Sequence, residues 1–235
     1  MSDLERLMND AMRAAPTPRQ VEMRRVGNAI RKITDKLVAT EAPIDELAEL
    51  AGRLEGLVAV LEPWPQGHAY DAFAEAAIAG SPVGFLDNSP IQGEANPLAP
   101  PLRMTVADGR VVGDVRFGSA YEGPPGCVHG GWVAAAYDEL LGTAQTLTGL
   151  RGMTGYLTVR YRRPTPLHTD LRMEGELVRV DGRKILTIGR CFVGDEVVSE
   201  AEALFISVDF TKIAELYAGR LGGEAQHSPR GLGED

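Results

Sequence analysis

The sequence lacks most of the features that would assign a function at a glance. Its two cysteines, Cys127 and Cys191, form neither a disulfide framework nor a metal-ligand spacing. It has no excess of positive charge: 24 Lys and Arg stand against 33 Asp and Glu, for a formal net charge of −9. A general nucleic-acid binder would carry a basic footprint, so no nucleic-acid partner is expected. No apolar run approaches the length of a membrane span. The first residues, Met1-Ser2-Asp3-Leu4-Glu5, lack the basic stretch and apolar core of a secretory signal. The expectation is a cytoplasmic protein with two free thiols. A Gly-x-x-x-x-Gly-Lys-Ser/Thr phosphate loop, a Gly-x-Ser-x-Gly elbow, a His/Cys metal cluster and internal repeats are missing too. An acidic chain can still hold a small anionic ligand on a local group of Arg and Lys.

What is present is enough apolar residue, 44% of 235, for one large domain or a medium domain with an extension. Residues 1–62 read as a helical hairpin. Ile30, Ile33 and Leu37 lie in a first run, and Leu47, Leu50, Leu54, Leu57 and Leu61 recur in a second at amphipathic helix spacing. Pro16, Pro18 and Pro43 mark starts, and Pro63 and Pro65 an end. Residues 63–101 are rich in Pro, Gly and Asn and read as a connection over the surface of the next domain, with a short helix over 70–79. The tail, 213–235, is Gly-rich and polar and is expected to be disordered.

Between them, residues 102–212 change character. Strands are predicted at 102–106, 111–117, 154–162, 171–180, 184–192 and 197–208, with turns at Asp108-Gly109, Asp181-Gly182 and Gly194-Asp195. One long helix sits after the second strand. Residues 132–144 are apolar on nearly every side, which predicts burial all round. Two strands, a helix and four strands joined mostly by tight turns make an α+β arrangement, an antiparallel sheet wrapped on one helix.

The chemistry concentrates at residues 123–142. A rigid Gly-Pro-Pro-Gly turn leads to His129-Gly130-Gly131, and the helix that follows carries two acids, Asp138 and Glu139. Backbone N–H groups at a helix start can hold an anion. A carboxylate in an apolar helix is costly to bury, so it is either an exposed polar position or a working group. Helix rise puts Gly130 and Asp138 about 12 Å apart, and His129 and Asp138 about 13 Å apart and half a turn round. An oxyanion donor and an attacking group must both reach one carbonyl. One copy of the helix cannot supply both, so such chemistry requires at least a dimer with sites between subunits.

These residues resemble the hotdog-fold acyl-CoA thioesterases, in the branch of the phenylacetate-pathway thioesterases and the human thioesterase superfamily members. The run Tyr121-Glu-Gly-Pro-Pro-Gly-Cys-Val-His-Gly-Gly is similar to that branch's loop, and Gly155-Tyr-Leu-Thr-Val-Arg-Tyr-Arg-Arg-Pro-Thr-Pro-Leu to its next strand. The resemblance covers about residues 81–210. It implies a hotdog fold (an antiparallel sheet wrapped around a long central helix) with the N-terminal helices as an extension. It implies hydrolysis of an acyl-CoA thioester, by a homodimer or dimer of dimers, with coenzyme A as part of the substrate and no cofactor. By that resemblance Gly130 takes the place of the backbone donor to the thioester carbonyl, and Asp138 that of the acid that attacks or activates water. Thr154, sixteen residues on, takes the place of a hydroxyl that bonds this acid or its water. His129 takes the place of a loop histidine beside the thioester, either reacting or shaping the helix start. Gly131 is grouped with the substrate contacts, through close packing. Some members carry an amide side chain before the His-Gly-Gly, where this chain has Pro124-Pro125. Arg160, Arg162, Arg172, Arg183 and Lys184 are the candidates for the coenzyme A phosphates, since guanidinium forks suit phosphate oxygens. The rival readings are a hotdog hydratase or dehydratase and a non-catalytic acyl-CoA binder. Of the four histidines only His129 stands in a suitable context for the first.

Overall fold

The computed structural model describes residues 15–64, 87–150 and 152–208, together with Arg6, Asn9 and Asp10. The helix expected at 70–79 and the tail from 213 lie outside the described residues. Among the described residues no helix is long and apolar enough to cross a membrane.

Two helices come first, α1 (Pro18–Leu37) and α2 (Ile44–Leu61). Thr17 starts α1 with a capping box: its hydroxyl accepts from the Gln20 N–H, and the Gln20 side chain accepts from the Thr17 N–H. Pro18 opens the helix, where its missing N–H costs nothing. Asp45 and Glu46 sit in the first turn of α2, matching the positive end of its dipole.

Six strands follow: β1 (Arg103–Ala107), β2 (Arg110–Arg116), β3 (Gly152–Tyr161), β4 (Asp170–Asp181), β5 (Lys184–Val193) and β6 (Glu196–Ser207). They form one antiparallel sheet in the order β1-β2-β4-β5-β6-β3. The helix α3 (Gly130–Thr146) lies against its inner face, touching β2 to β6. This is the α+β arrangement expected from the order of the elements, and the hotdog fold that the resemblance implies. The two edges differ. On β1, the Asn9 amide donates to the Val106 carbonyl at 2.7 Å and accepts from the Val106 N–H at 3.0 Å. On the other edge, β3 pairs only with β6 among the described strands, and most of its residues are exposed.

The core joins Val133, Ala136, Tyr137, Leu140, Leu141 and Ala144 of α3 to Val111, Met173, Ile185, Ala203 and Phe205 of the sheet. Each large side chain buried this way contributes about 1.5–3 kcal/mol. Gly175 and Gly189, paired across β4 and β5, let α3 come close. A Cβ at Gly189 would stand 3.2 Å from both Leu141 Cδ2 and Tyr137 Cδ1. Tyr137 is fully buried, and its hydroxyl donates to the Ser199 carbonyl at 2.8 Å. Burial raises its pKa well above the usual phenol value.

Two expectations need correction. α3 is not buried on every side: Gly131 and Asp138 are exposed. A single sheet covers only the faces turned towards it, and these residues lie on the flank beside edge strand β3. The second half of the expected surface connection is packed inwards instead, with Asp87, Ser89, Ile91, Ala95 and Ala99 buried. The segment can be buried because it satisfies its own backbone: the Gly93 N–H donates to the Ser89 carbonyl and the Ala95 N–H to the Asp87 carbonyl.

Candidate active site

The loop before α3 is a small closed structure. The Gly123 N–H donates to the Cys127 carbonyl at 2.9 Å, and Glu122 Oε1 accepts from the Gly126 N–H at 2.7 Å. Gly126 has φ of +73°, which its lack of a Cβ allows. The His129 N–H then bonds the Tyr121 carbonyl at 2.9 Å. Beneath it, Tyr121 meets Trp132 edge-on, with centroids 4.9 Å apart. The Tyr121 hydroxyl donates to the Leu98 carbonyl, and burial pushes its pKa up to about 12.

His129 is the N-cap of α3. Its Nδ1 accepts from the Gly131 N–H at 3.0 Å, and its carbonyl accepts from the Trp132 N–H at 2.9 Å. Nδ1 is therefore the unprotonated nitrogen, and the Gly131 N–H is already used. The Gly130 N–H has no partner among the described residues. It stands at the positive end of a seventeen-residue helix, free to meet an oxyanion. The Gly130 carbonyl accepts from the Tyr161 hydroxyl at 2.7 Å, so the end of β3 braces the start of α3.

Two turns along α3, Asp138 is exposed at the flank of the helix. Thr154 Oγ1 donates to its Oδ1 at 2.8 Å. The bond fixes one carboxylate oxygen and leaves the other open. Glu139, the adjacent acid, turns elsewhere. Its Oε1 accepts from Ser89 Oγ at 3.4 Å and from Gln92 Nε2 at closer range. Burial raises the pKa of Glu139 above the usual carboxylate range, and the charge of Asp138 adds to this.

The strand β3 therefore carries a contact at each end, Thr154 to Asp138 and Tyr161 to Gly130. Seven residues of strand separate them by about 23 Å. An odd separation would put the two side chains on opposite faces of a regular strand. The register shift between Thr154 and Tyr156 changes the parity, so Thr154, Leu157, Val159 and Tyr161 all face α3. Tyr161 was missed in the sequence. The available signal was Gly155, a glycine inside a strand.

The five cations do not form one group. Arg160 and Arg162 lie at the end of β3, and Arg162 forks onto Glu200 Oε2 at 2.8 and 2.7 Å. That hydrogen bond, with the nearby arginine charges, holds the Glu200 pKa below its usual value. Arg172 is three strands away on β4, paired with Glu174 and 4.2 Å over the Phe192 ring. Arg183 and Lys184 sit at the turn into β5, level with the start of β3, where Arg183 Nε donates to the Ser207 carbonyl at 3.0 Å. Within one chain they are spread out because β3 is third of the six strands in the chain but last in the sheet.

No family model matches the chain. It is 34% identical over 104 residues to the Xenopus laevis protein named acyl-coenzyme A thioesterase THEM4, covering 43% of this chain and 47% of that protein. The Mus musculus protein of the same name is 34% identical over 102 residues, covering 43% of this chain and 44% of that one. The chain thus spans about half the length of the curated relatives it matches. A crystal structure described as a thioesterase superfamily protein aligns with a TM-score of 0.68 at 34% identity, covering 78% of this chain and 94% of that one. The chain belongs to the thioesterase superfamily.

Proposed function

We propose that this protein hydrolyses acyl-CoA thioesters in a site shared by two copies of the chain. The observation that carries this reading is the 2.8 Å hydrogen bond from Thr154 to Asp138, which orients an exposed carboxylate beside the open edge of the sheet. The names of the curated relatives, acyl-coenzyme A thioesterases, agree with it.

Within one chain the free Gly130 N–H stands about 12 Å from Asp138 along the helix. Antiparallel pairing of β3 with β3 of a second copy reverses the strand ends. The Tyr161 and Gly130 end of one copy then comes beside the Thr154 and Asp138 end of the other. It also brings the Arg160 and Arg162 end of one copy towards the Arg183 and Lys184 end of the other, which supplies cations from both chains for the coenzyme A phosphates.

In the reaction, Asp138 accepts a proton from water as the water oxygen bonds to the thioester carbon. The carbonyl oxygen becomes an oxyanion, held by the Gly130 N–H of the other copy and the positive end of its α3. Collapse breaks the carbon–sulfur bond, and the thiolate takes the proton from Asp138. Direct attack by Asp138, through a mixed anhydride that water then opens, uses the same geometry. His129 serves here as the cap that keeps α3 starting at Gly130.

A thioesterase screen across acyl-CoA chain lengths, run on the parent and on Asp138→Asn, tests class and site together. The expected loss of kcat/KM in the variant is about 10²–10⁴-fold. Equal rates for the two proteins would sink the assignment.

A further inference from the structure

Glu139 is the neighbour of Asp138 in sequence, yet it points to a different part of the molecule. Its carboxyl is gripped by Ser89 and Gln92, from a loop some fifty residues earlier. Ser89 is itself buried, and its hydroxyl accepts from the Ile91 and Gln92 N–H groups at 3.2 and 3.3 Å. The loop is tied down in turn by α1. Arg24 Nε bonds Asp87 Oδ1 at 2.8 Å, and Arg31 donates to the Asn96 carbonyl at 2.8 Å and the Glu94 carbonyl at 3.1 Å. Gly27, between them on the same face, allows direct contact. A Cβ there would come within 2.4 Å of the Ala95 carbonyl oxygen. A continuous line of polar contacts thus runs from α1 through the 87–96 loop to Glu139, one residue from Asp138.

We propose that Glu139 is a positioning residue for Asp138: anchored by Ser89 and Gln92, it fixes the roll of α3 and shares its electrostatic environment with the neighbouring carboxylate. This rests on the role given to Asp138 above. The physical reason lies in the shape of the flank. Asp138 has one fixed oxygen, bonded to a strand at the sheet edge, while a second side of the helix middle, about 100° round, is held by the loop through Glu139. Without the second hold, Asp138 rests on one hydrogen bond. The charge facing Glu139 from its own helix is that of Asp138. The loop packed on it offers Ser89 and Gln92, both uncharged, and no charged side chain of the sheet acts on it. Burial pushes the pKa of Glu139 up and the charge of Asp138 adds to this, so the ionisation of Glu139 is coupled to the neighbouring carboxylate.

The test needs Glu139→Gln, which preserves shape and hydrogen-bond acceptor but removes the charge, and Glu139→Ala, which removes the hold. In protein labelled with ¹³C at aspartate carboxyl carbons, the Asp138 resonance is identified by its loss in Asp138→Asn. The expected result is two inflections with pH in the parent, one its own and one at the ionisation of Glu139, and a single inflection in Glu139→Gln. In acyl-CoA hydrolysis, Glu139→Ala is expected to lose about 10- to 100-fold in kcat at unchanged KM, with Gln at 139 restoring kcat at neutral pH. Identical titration curves for parent and Glu139→Gln, or parental kcat in Glu139→Ala, overturn the proposal. Should Glu139→Ala fail to fold, the titration of Glu139→Gln decides alone. The titration involves no substrate. An absence of turnover in the parent, with coupled titration intact, therefore counts against the hydrolase reading and not against this one.

Discussion

The hydroxyl of Thr154 offers the cleanest point of entry at the level of single residues. It touches one oxygen of Asp138 and leaves the other exposed. Thr154→Val keeps the β-branched shape and removes the donor. A hydrogen bond to a charged group contributes about 1.5–3 kcal/mol. If that orientation is used in the transition state, kcat falls by about 10- to 100-fold. Thr154→Ser should recover most of it. Steady-state kinetics on the three proteins checks this, and a fall confined to KM would mean that Thr154 contacts substrate instead. The residue roles differ in how far sequence could reach them. Thr154 and Asp138 are sixteen apart, and the resemblance to the hotdog-fold thioesterases already implied that they meet. Glu139 and Gln92 are forty-seven apart, across a segment with no periodic pattern. Nothing in the local sequence aims one at the other.

Among the elements, β3 and α1 matter most to the site. The strand limits were legible where turn residues punctuate them, at Asp108-Gly109, Asp181-Gly182 and Gly194-Asp195. The consequence of the irregularity after Thr154 was not legible. A single extra residue exchanges the faces of everything beyond it, and only that exchange turns Tyr161 towards Gly130. The helix α1 was legible as a helix from the prolines at its start and its apolar residues. Its use was not, because Arg24 and Arg31 look like ordinary solvated cations until the loop they grip is in place. Arg31→Ala removes two bonds to loop carbonyls. The expected cost is about 1–3 kcal/mol of unfolding free energy, measured as a lowered denaturant midpoint at unchanged slope. An unchanged midpoint would mean that the loop holds its shape without α1.

At the scale of the whole molecule, the proposed two-copy site makes a prediction that no single-chain site shares. Gly130→Pro deletes the free donor and little else. Proline is favoured at the first helical position, and His129 already has the extended backbone that must precede it. Its Cβ would stand 3.2 Å from the Tyr161 hydroxyl, on an exposed side chain that can shift by a few tenths of an ångström. Gly130→Pro and Asp138→Asn should each be nearly inactive alone. Mixed after dissociation and reassembly, the two leave one intact site in each mixed pair, and about a quarter of the parental activity should return. A mixture that stays as inactive as its components would place both groups in one chain's site.

The Asn9 amide has a consequence for how far such pairing can go. It occupies the outward N–H and C=O of Val106, the groups that a further strand would need on that side of the sheet. The β1 edge is then blocked at Val106, while no such contact is seen on β3 among the described residues. Joining two copies through β3 pairs both β3 edges, and neither end of the combined sheet presents a free template at Val106. In the proposed pair, a further strand would meet an occupied donor and acceptor at Val106 at either end of the combined sheet, so one amide from outside the sheet guards that position against continued strand addition.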